Sequence, residues 1–261
     1  MLVFPQLTTG AAALYPLTKR RLRRTALNSV ADGHAVVFAD SDAGIAAWEL
    51  RATGLMPAEW NAIEALFQQT SGMARTFTFL DPVGNLLLKS EDFTAGAWSR
   101  GALIQFTAGI ADPLGTTRAT RLANTGQAAG GVAQTLNIPG DFQYCLSVWA
   151  RSTSNSTLML SIGSVTKVFA AGSQWRRVFV FANPGQTGAT TVAFTAQVDV
   201  GGSVELFGVQ AEAQLGPSDY KVTGLRGGVY SKARFGSDQI AVTAQSAEVY
   251  DAVISIVSTE S

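Results

Sequence analysis

The sequence predicts a mainly β chain of two domains: a small β-sheet or barrel domain carrying one helix, and a β-sandwich inserted into it. Three observations predict this. One stretch alone, "MPAEWNAIEALFQQTSG" (56–72), has a helical period. From about residue 89 to 221, short runs rich in Val, Phe, Thr and Leu recur between glycine and polar turns. The two ends of the chain are each too poor in strands to fold alone, yet together they make one sheet domain.

Taken in order, "HAVVFAD" (34–40) and "AAWELRATG" (46–54) are strand-like. In the second, Trp48, Leu50 and Ala52 alternate with Glu49, Arg51 and Thr53, the period of a half-buried strand. In the helix, Pro57 suits the first turn and Glu59 favours the positive end of the dipole. Trp60, Ile63 and Phe67 form a stripe with Leu66, and Gly72 stops it. The single apolar face predicts that the helix lies on a sheet. "RTFTFL" (75–80) returns as a strand and Asp81-Pro82 closes it.

Eight runs follow: 102–108, 117–124, 131–138, 144–152, 157–163, 175–183, 190–198 and 203–213. Eight short strands with frequent turns suggest a jelly roll. The last forty residues supply two or three strands, "DAVISIVST" the clearest. The expected division is therefore 1–88 with 222–261 as one domain and 89–221 as the insert. A surface loop of the first domain is replaced by the second, which termini lying close together make tolerable.

The runs "NLLLKSEDFTAGAW" (85–98), "ADPLGTTRATRL" (111–122), "CLSVWARS" (145–152), "WRRVFVF" (175–181) and "VELFGVQAEAQLGPSDYKVTG" (204–224) cover most of the insert. In this order they resemble the carbohydrate-binding-module-like jelly rolls of phage tail proteins. The first block, with its Trp48 strand, "PAEWNAIEALFQQTSG" and "RTFTFLDPVGNLL", resembles the small barrel of siphophage distal tail and tail-tip proteins. "ARFGSDQIAVTAQ" and "AVISIVS" would be its returning strands. The resemblance implies a baseplate component of the virion, made in the host cytoplasm. It implies a ring, commonly a hexamer, at the end of the tail tube, in contact with other tail-tube and tail-tip proteins. The insert would project toward host surface glycan or a neighbouring tail protein. Such modules sometimes hold calcium, but no oxygen-rich loop like an EF-hand stands in this sequence.

Composition narrows the function classes. Lys and Arg equal Asp and Glu at 19 each, so no net field draws the chain to nucleic acid or an anionic membrane. No apolar run reaches the length of a membrane span, and the first residues lack the basic region of a secretion signal. The single cysteine, Cys145, allows no disulfide within the chain and reads as a small strand residue. The single histidine, His34, has no G-x-S-x-G elbow and no cysteine partner. Glu91-Asp92 are adjacent, and Glu205 and Glu212 would face opposite sides of a regular strand, so no glycosidase pair is visible. "GLRGGVY" (224–230) has neither the lysine nor the helix of a phosphate-binding loop and reads as a crossing between domains. No catalytic residue, metal ligand set or cofactor site is expected.

Two groups remain. The run "KRRLRR" places Lys19, Arg20, Arg21, Arg23 and Arg24 together on a strand or loop. Without interleaved aromatics it does not read as a single-strand nucleic-acid groove, and a solvated face or a subunit interface suits it better. Four aromatics are the glycan-contact candidates, because flat rings stack on sugar C–H faces. They are Trp98, in a turn-rich and exposed setting, Tyr220 near the end of the insert, and Trp149 and Trp175, which also suit a strand core. The expected role is a structural tail-tip subunit. A receptor-binding adhesin is the alternative, and a glycan depolymerase the less favoured third.

Overall fold

A computed structural model describes residues 1–29 and 31–259, with the backbone alone for 39–43. In chain order the elements are β1 (Leu17–Ser29), β2 (Ala35–Leu55), α1 (Pro57–Thr70), β3 (Phe77–Leu80), β4 (Ser99–Arg100), β5 (Ile104–Ile110), β6 (Ala119–Asn124) and β7 (Gly130–Leu136). They continue as β8 (Tyr144–Arg151), β9 (Thr157–Ile162), β10 (Val165–Ala170), β11 (Arg176–Ala182), β12 (Val192–Val198) and β13 (Ser203–Glu212). Last come β14 (Val229–Phe235), β15 (Val242–Ser246) and β16 (Val249–Ser258). The protein is mainly β, with one helix among the described residues, in line with the fold class read from the sequence. The chain clusters into two compact units. The first is Met1–Thr8, Ala12–Phe79 and Tyr230–Ser261, and the second Thr9–Ala11 and Leu80–Val229.

The first unit is built on a sheet of order β1-β2-β16-β14-β3, with β15 paired to β16. The sequence suggests two strands over 34–54. The backbone instead runs as one long strand, β2, whose two halves do different work. Ala46, Trp48, Leu50, Ala52 and Leu55 are buried, so the alternation of that half is core-facing. Among the described residues the other half pairs only with β1, from Arg24 opposite Asp40 to Ser29 opposite Ala35. Leu27, Val36, Val37 and Phe38 are exposed there, and Leu22 just before it. A bulge between Leu22 and Arg24 separates the two halves.

The helix packs on this sheet through Trp60, Ile63 and Leu66. Glu59 reaches back to accept the Met56 N–H at 2.8 Å and the Thr8 N–H at 2.8 Å, which tidies two orphan donors at once. At the other end Ser71 (φ 52°) and Gly72 (φ 62°) turn left-handed, and the Gly72 N–H closes on Phe67 O at 3.0 Å. A Cβ on Gly72 would meet Asp238 Oδ1 at 2.4 Å. Asp238 in turn accepts the Met73 N–H at 2.8 Å, so the stop is shaped by a distant loop as well as by the glycine. The core is aromatic. Trp48 meets Tyr230 and Phe79 edge-on at 4.6 and 5.0 Å, and Phe235 joins Phe77 and Phe67.

The second unit is a sandwich of two five-stranded antiparallel sheets, β10-β9-β12-β7-β4 and β11-β8-β13-β6-β5. All eight predicted runs are strands. β4 and β10 are additional, and β10 escaped the pattern because five of its six residues are exposed and none points to a core. Leu122, Leu146, Val148, Leu160, Phe194, Val204 and Leu206 are fully buried between the sheets. Tyr144 joins them edge-on to Phe194 at 5.7 Å and donates its hydroxyl to Pro139 O at 2.7 Å. Polar side chains tie the loops. Asn124 donates to Ala128, Val198 and Asp199 carbonyls at 2.9–3.1 Å. Asp112 accepts the Leu114, Thr116 and Arg118 N–H groups. Burial alone would raise the Asp112 carboxyl, but the Thr116 hydroxyl and those three amides hold it down at about 2.

The bulge in β13 positions everything that follows. Phe207 stands opposite Trp149 and Gln210 opposite Ser147, so three residues of β13 span two of β8. Gly208 takes φ 65° to do so. The extra residue reverses the alternation. Glu205 and Glu212, expected on opposite sides, therefore share the face turned away from the core, opposite Arg151 and Cys145 respectively.

Candidate functional site

That outward face is the best-furnished surface of the second unit. On β8, Leu146, Val148 and Ala150 point into the sandwich while Cys145, Ser147, Trp149 and Arg151 point out. On β11 the partners opposite Trp149, Ser147 and Cys145 are Arg177, Phe179 and Phe181. Trp175, one residue before the strand, continues the same side. Trp175, Arg177, Phe179 and Phe181 thus form a stripe about 20 Å long, from the rise of a β-strand. Phe179 and Phe181 stack at 6.5 Å with 28° between their planes, and Phe181 is 52% exposed. Trp149, Trp175 and Phe179 are half-buried.

Charge is distributed unevenly over this face. The Glu205 side chain is buried and takes both guanidiniums beside it, Arg121 Nη2 and Arg151 Nε each at 2.5 Å. Burial pushes its carboxyl up, and the hydrogen bonds and charges of Arg121 and Arg151 more than offset this, leaving it below the usual value of 4.5. The Arg151 guanidinium also lies 4.7 Å from the Trp175 ring centre, a cation–π contact. Arg177 donates from Nη2 to Ser147 Oγ at 3.0 Å.

The sign of the Glu205 shift fixes a pH prediction. A lowered folded pKa contributes stability that is present above the unfolded value and lost as pH falls through the folded one. Glu205→Gln is expected to cost about 1–2 kcal/mol at pH 7, discounted because both arginines remain partly in solvent. It is also expected to flatten the further loss between pH 5 and pH 3. Urea midpoints of wild type and variant at those pH values measure both. Parallel curves would remove Glu205 from the acid response.

Of the four aromatics singled out from the sequence, Trp149 and Trp175 come together on the β8–β11 part of this face, Tyr220 lies over its β13 part against Phe207, and Trp98 lies elsewhere. Trp98 is corrected. It is 6% exposed, packs edge-on against Phe93 at 5.2 Å and donates its indole N–H to Lys89 O at 3.0 Å. The turn-rich "TAGAW" folds its tryptophan inward. Tyr220 packs over Gly208, where a Cβ would meet its ring at 3.2 Å, and edge-on against Phe207 at 5.3 Å. Its hydroxyl is engaged by Ser90 at 2.8 Å and donates to Glu91 at 3.1 Å. Tyr220 closes the loop after β13 instead of offering a ring to solvent.

The remaining groups sort themselves by partner. Glu91 accepts from Arg118 at 3.0 Å and Asp92 caps Thr94. Glu212 accepts the Ser218 N–H and pairs with Lys221 at 3.4 Å. It lies six β8 residues from Glu205, about 20 Å by strand rise. Glycosidase carboxylates stand about 5–10 Å apart. His34 is exposed near the hairpin turn. Among the described residues no three His, Cys, Asp or Glu side chains gather as a metal site requires, and no helix is long and apolar enough to cross a membrane. In the basic run, Lys19 Nζ lies over its own unit's Trp48 and Tyr230 rings at 5.5 and 6.0 Å. Arg20, Arg21, Arg23 and Arg24 are exposed on β1, the edge strand of the sheet.

Sequence reasoning missed Arg151, Arg177, Phe179 and Phe181. A signal for three of them was there: in "WRRVFVF" the residues at 175, 177, 179 and 181 share one side of a period of two. No family model and no curated protein matches the chain. Solved structures resemble it over about half its length. A putative sugar binding protein from Bacteroides thetaiotaomicron is 13% identical, with a TM-score of 0.40 over 49% of this chain and 99% of that one. A CBM22-1 xylan-binding domain from Paenibacillus barcinonensis is 11% identical, with a TM-score of 0.40 over 51% and 97%. The enzymatically active domain of a bacteriophage CBA120 tailspike protein is 18% identical, with a TM-score of 0.38; the match spans 49% of this chain and only 21% of the tailspike chain. Likeness this slight does not bear on ligand.

Proposed function

We propose that the protein is a non-enzymatic structural subunit of a phage tail tip, assembling into a ring through its first unit and presenting its sandwich to saccharide or to a neighbouring tail protein. The observation that carries this is the outer half of the β1–β2 hairpin. There Leu27 and Val37 are exposed on one face of the ribbon and Val36 and Phe38 on the other, beside four exposed arginines and an unpaired strand edge. Covering one such side chain is worth about 1.5–3 kcal/mol. An open edge is what symmetric closure removes. The arginines would meet acidic groups of the next copy, and the ring would belong to the virion, against tail-tube and tail-tip proteins.

Light scattering on the full-length protein tests it. The expected result is a discrete oligomer, six 27.4 kDa chains being the favoured size, that Leu27→Glu with Phe38→Glu reduces to a monomer without lowering its melting temperature. A wild type that stays monomeric over a hundredfold range of concentration would overturn the hairpin as a self-assembly element. The second reading, an adhesin whose main task is glycan contact, is favoured by the Trp149, Trp175, Phe179 and Phe181 surface, where half-buried rings lie beside arginine donors.

A further inference from the structure

The outward face of β11 and β8 carries more positive charge than its own carboxylates neutralise. Glu205 is shared between Arg121 and Arg151, and the cation this leaves over is balanced nearby by Glu91 and Asp112, which share Arg118 above Phe207, so the surplus on this face is Arg177. Glu212 is occupied by Lys221 and the Ser218 amide. Arg177 has no carboxylate within 4 Å among the described residues; its one side-chain hydrogen bond goes to a neutral hydroxyl. Its Nε–H is buried and unaccepted. A half-buried guanidinium left in this state costs free energy that an incoming anion would recover. Its immediate neighbours across the sheet are rings: Trp149 opposite, and Phe179 two residues along the strand.

A face of flat rings with an unpaired guanidinium among them suits a particular ligand. Pyranose rings stack on Trp and Phe faces. A carboxylate matches the planar fork of arginine better than a hydroxyl does. We propose that this face binds an acidic saccharide, a polymer bearing sugar carboxylates, with the carboxylate at Arg177 and sugar rings over Trp149 and the Trp175–Phe181 stripe. The proposal rests on the glycan-contact reading of the same face and adds the charge class of its ligand. Four groups divide the work. Arg177 reads the charge, and Trp149 and Phe181 supply stacking area. Arg151, fixed by Glu205 and Trp175, adds long-range attraction that salt weakens.

Affinity electrophoresis of the full-length protein decides it. The gels contain polygalacturonate, alginate, hyaluronan or polysialic acid, with fully methyl-esterified polygalacturonate, xylan and galactan as neutral polymers. Polyglutamate serves as a non-sugar anion. The expected result is retardation by at least one acidic polymer. If that polymer is polygalacturonate, its methyl ester binds at least tenfold more weakly. Arg177→Gln is expected to lose at least tenfold in affinity, and Arg177→Lys to keep part of it. The comparison of acid with ester needs no variant, so a misfolded Arg177→Gln would not spoil the test. Retention by neutral polymers as strong as by acidic ones would overturn the charge assignment and leave the glycan reading standing. Equal retention by polyglutamate would overturn the saccharide and leave a general anion face. Retention by none of the sugars would sink both readings.

Discussion

Trp48→Ala is expected to cost about 4 kcal/mol, the largest effect of any single substitution considered. The indole is 1% exposed at the centre of the first unit. It holds Tyr230 and Phe79 edge-on and lies beneath Lys19. Three parts of one sheet therefore lose a partner together: β1 beside it, β2 itself, and the β14 and β3 side. Backbone pairing of β2 with β16 fixes the walls, so the space left by the ring cannot collapse. Against a typical domain stability of about 5–15 kcal/mol the loss is a large fraction. The helix signal in far-ultraviolet circular dichroism reads this unit selectively, because α1 lies in it. Urea titration followed at that signal should show a much earlier midpoint. Leu27→Ala, in the exposed half of the same hairpin, should stay within about 0.5 kcal/mol in the monomer. Similar losses for the two would mean that the hairpin is packed along its whole length.

Asn85→Ala should come second, at about 3 kcal/mol. Asn85 is 1% exposed and uses both ends of its amide. Nδ2 donates to Val209 O at 2.9 Å and Lys221 O at 3.2 Å, while Oδ1 accepts the Leu87 and Ala211 N–H groups, each at 3.1 Å. It binds the segment entering the second unit to β13 and to the segment that follows β13. Alanine leaves two carbonyls and two amides buried without a side-chain partner, and an unmatched buried group costs about 1–3 kcal/mol. Asn85→Asp should rescue little, since it keeps the acceptor but buries a charge and loses both donated bonds. Hydrogen exchange at the Leu87 amide is the local readout. Unchanged protection there, with a loss under 0.5 kcal/mol, would show that water or a backbone shift substitutes for the side chain.

The helix was legible because Pro57, the Trp60–Ile63–Phe67 spacing and Gly72 all point the same way, and the structure keeps each of them. The sandwich strands were legible because they alternate against a core. β1 and β10 were not, for one shared reason: an exposed edge strand carries no inward row, so "LTKRRLRRTALNS" reads as a charge run before it reads as a strand. The site was half legible. Trp149 and Trp175 were named, but Trp98 was misjudged because local turn chemistry says nothing about the Lys89 carbonyl its indole meets nine residues back in the chain. The shared face of Glu205 and Glu212 could not be read either. It depends on one residue, Gly208, adopting a backbone angle that a period-of-two pattern does not announce.

Cys145 sits in β8 behind Phe181 with no exposed surface, and burial, reinforced by Glu212, pushes its thiol up to about 12. At neutral pH it holds almost no thiolate, so a maleimide added to the folded protein meets no nucleophile. Labelling then proceeds only through molecules in which the cover over this outward side of β8 has transiently opened. Its rate is a clock on that opening, read by mass spectrometry without engineering a residue into the chain. The chain thus contains its own reporter for the second unit. Labelling that slows when an acidic saccharide is supplied would report occupancy of the outward face from inside the chain.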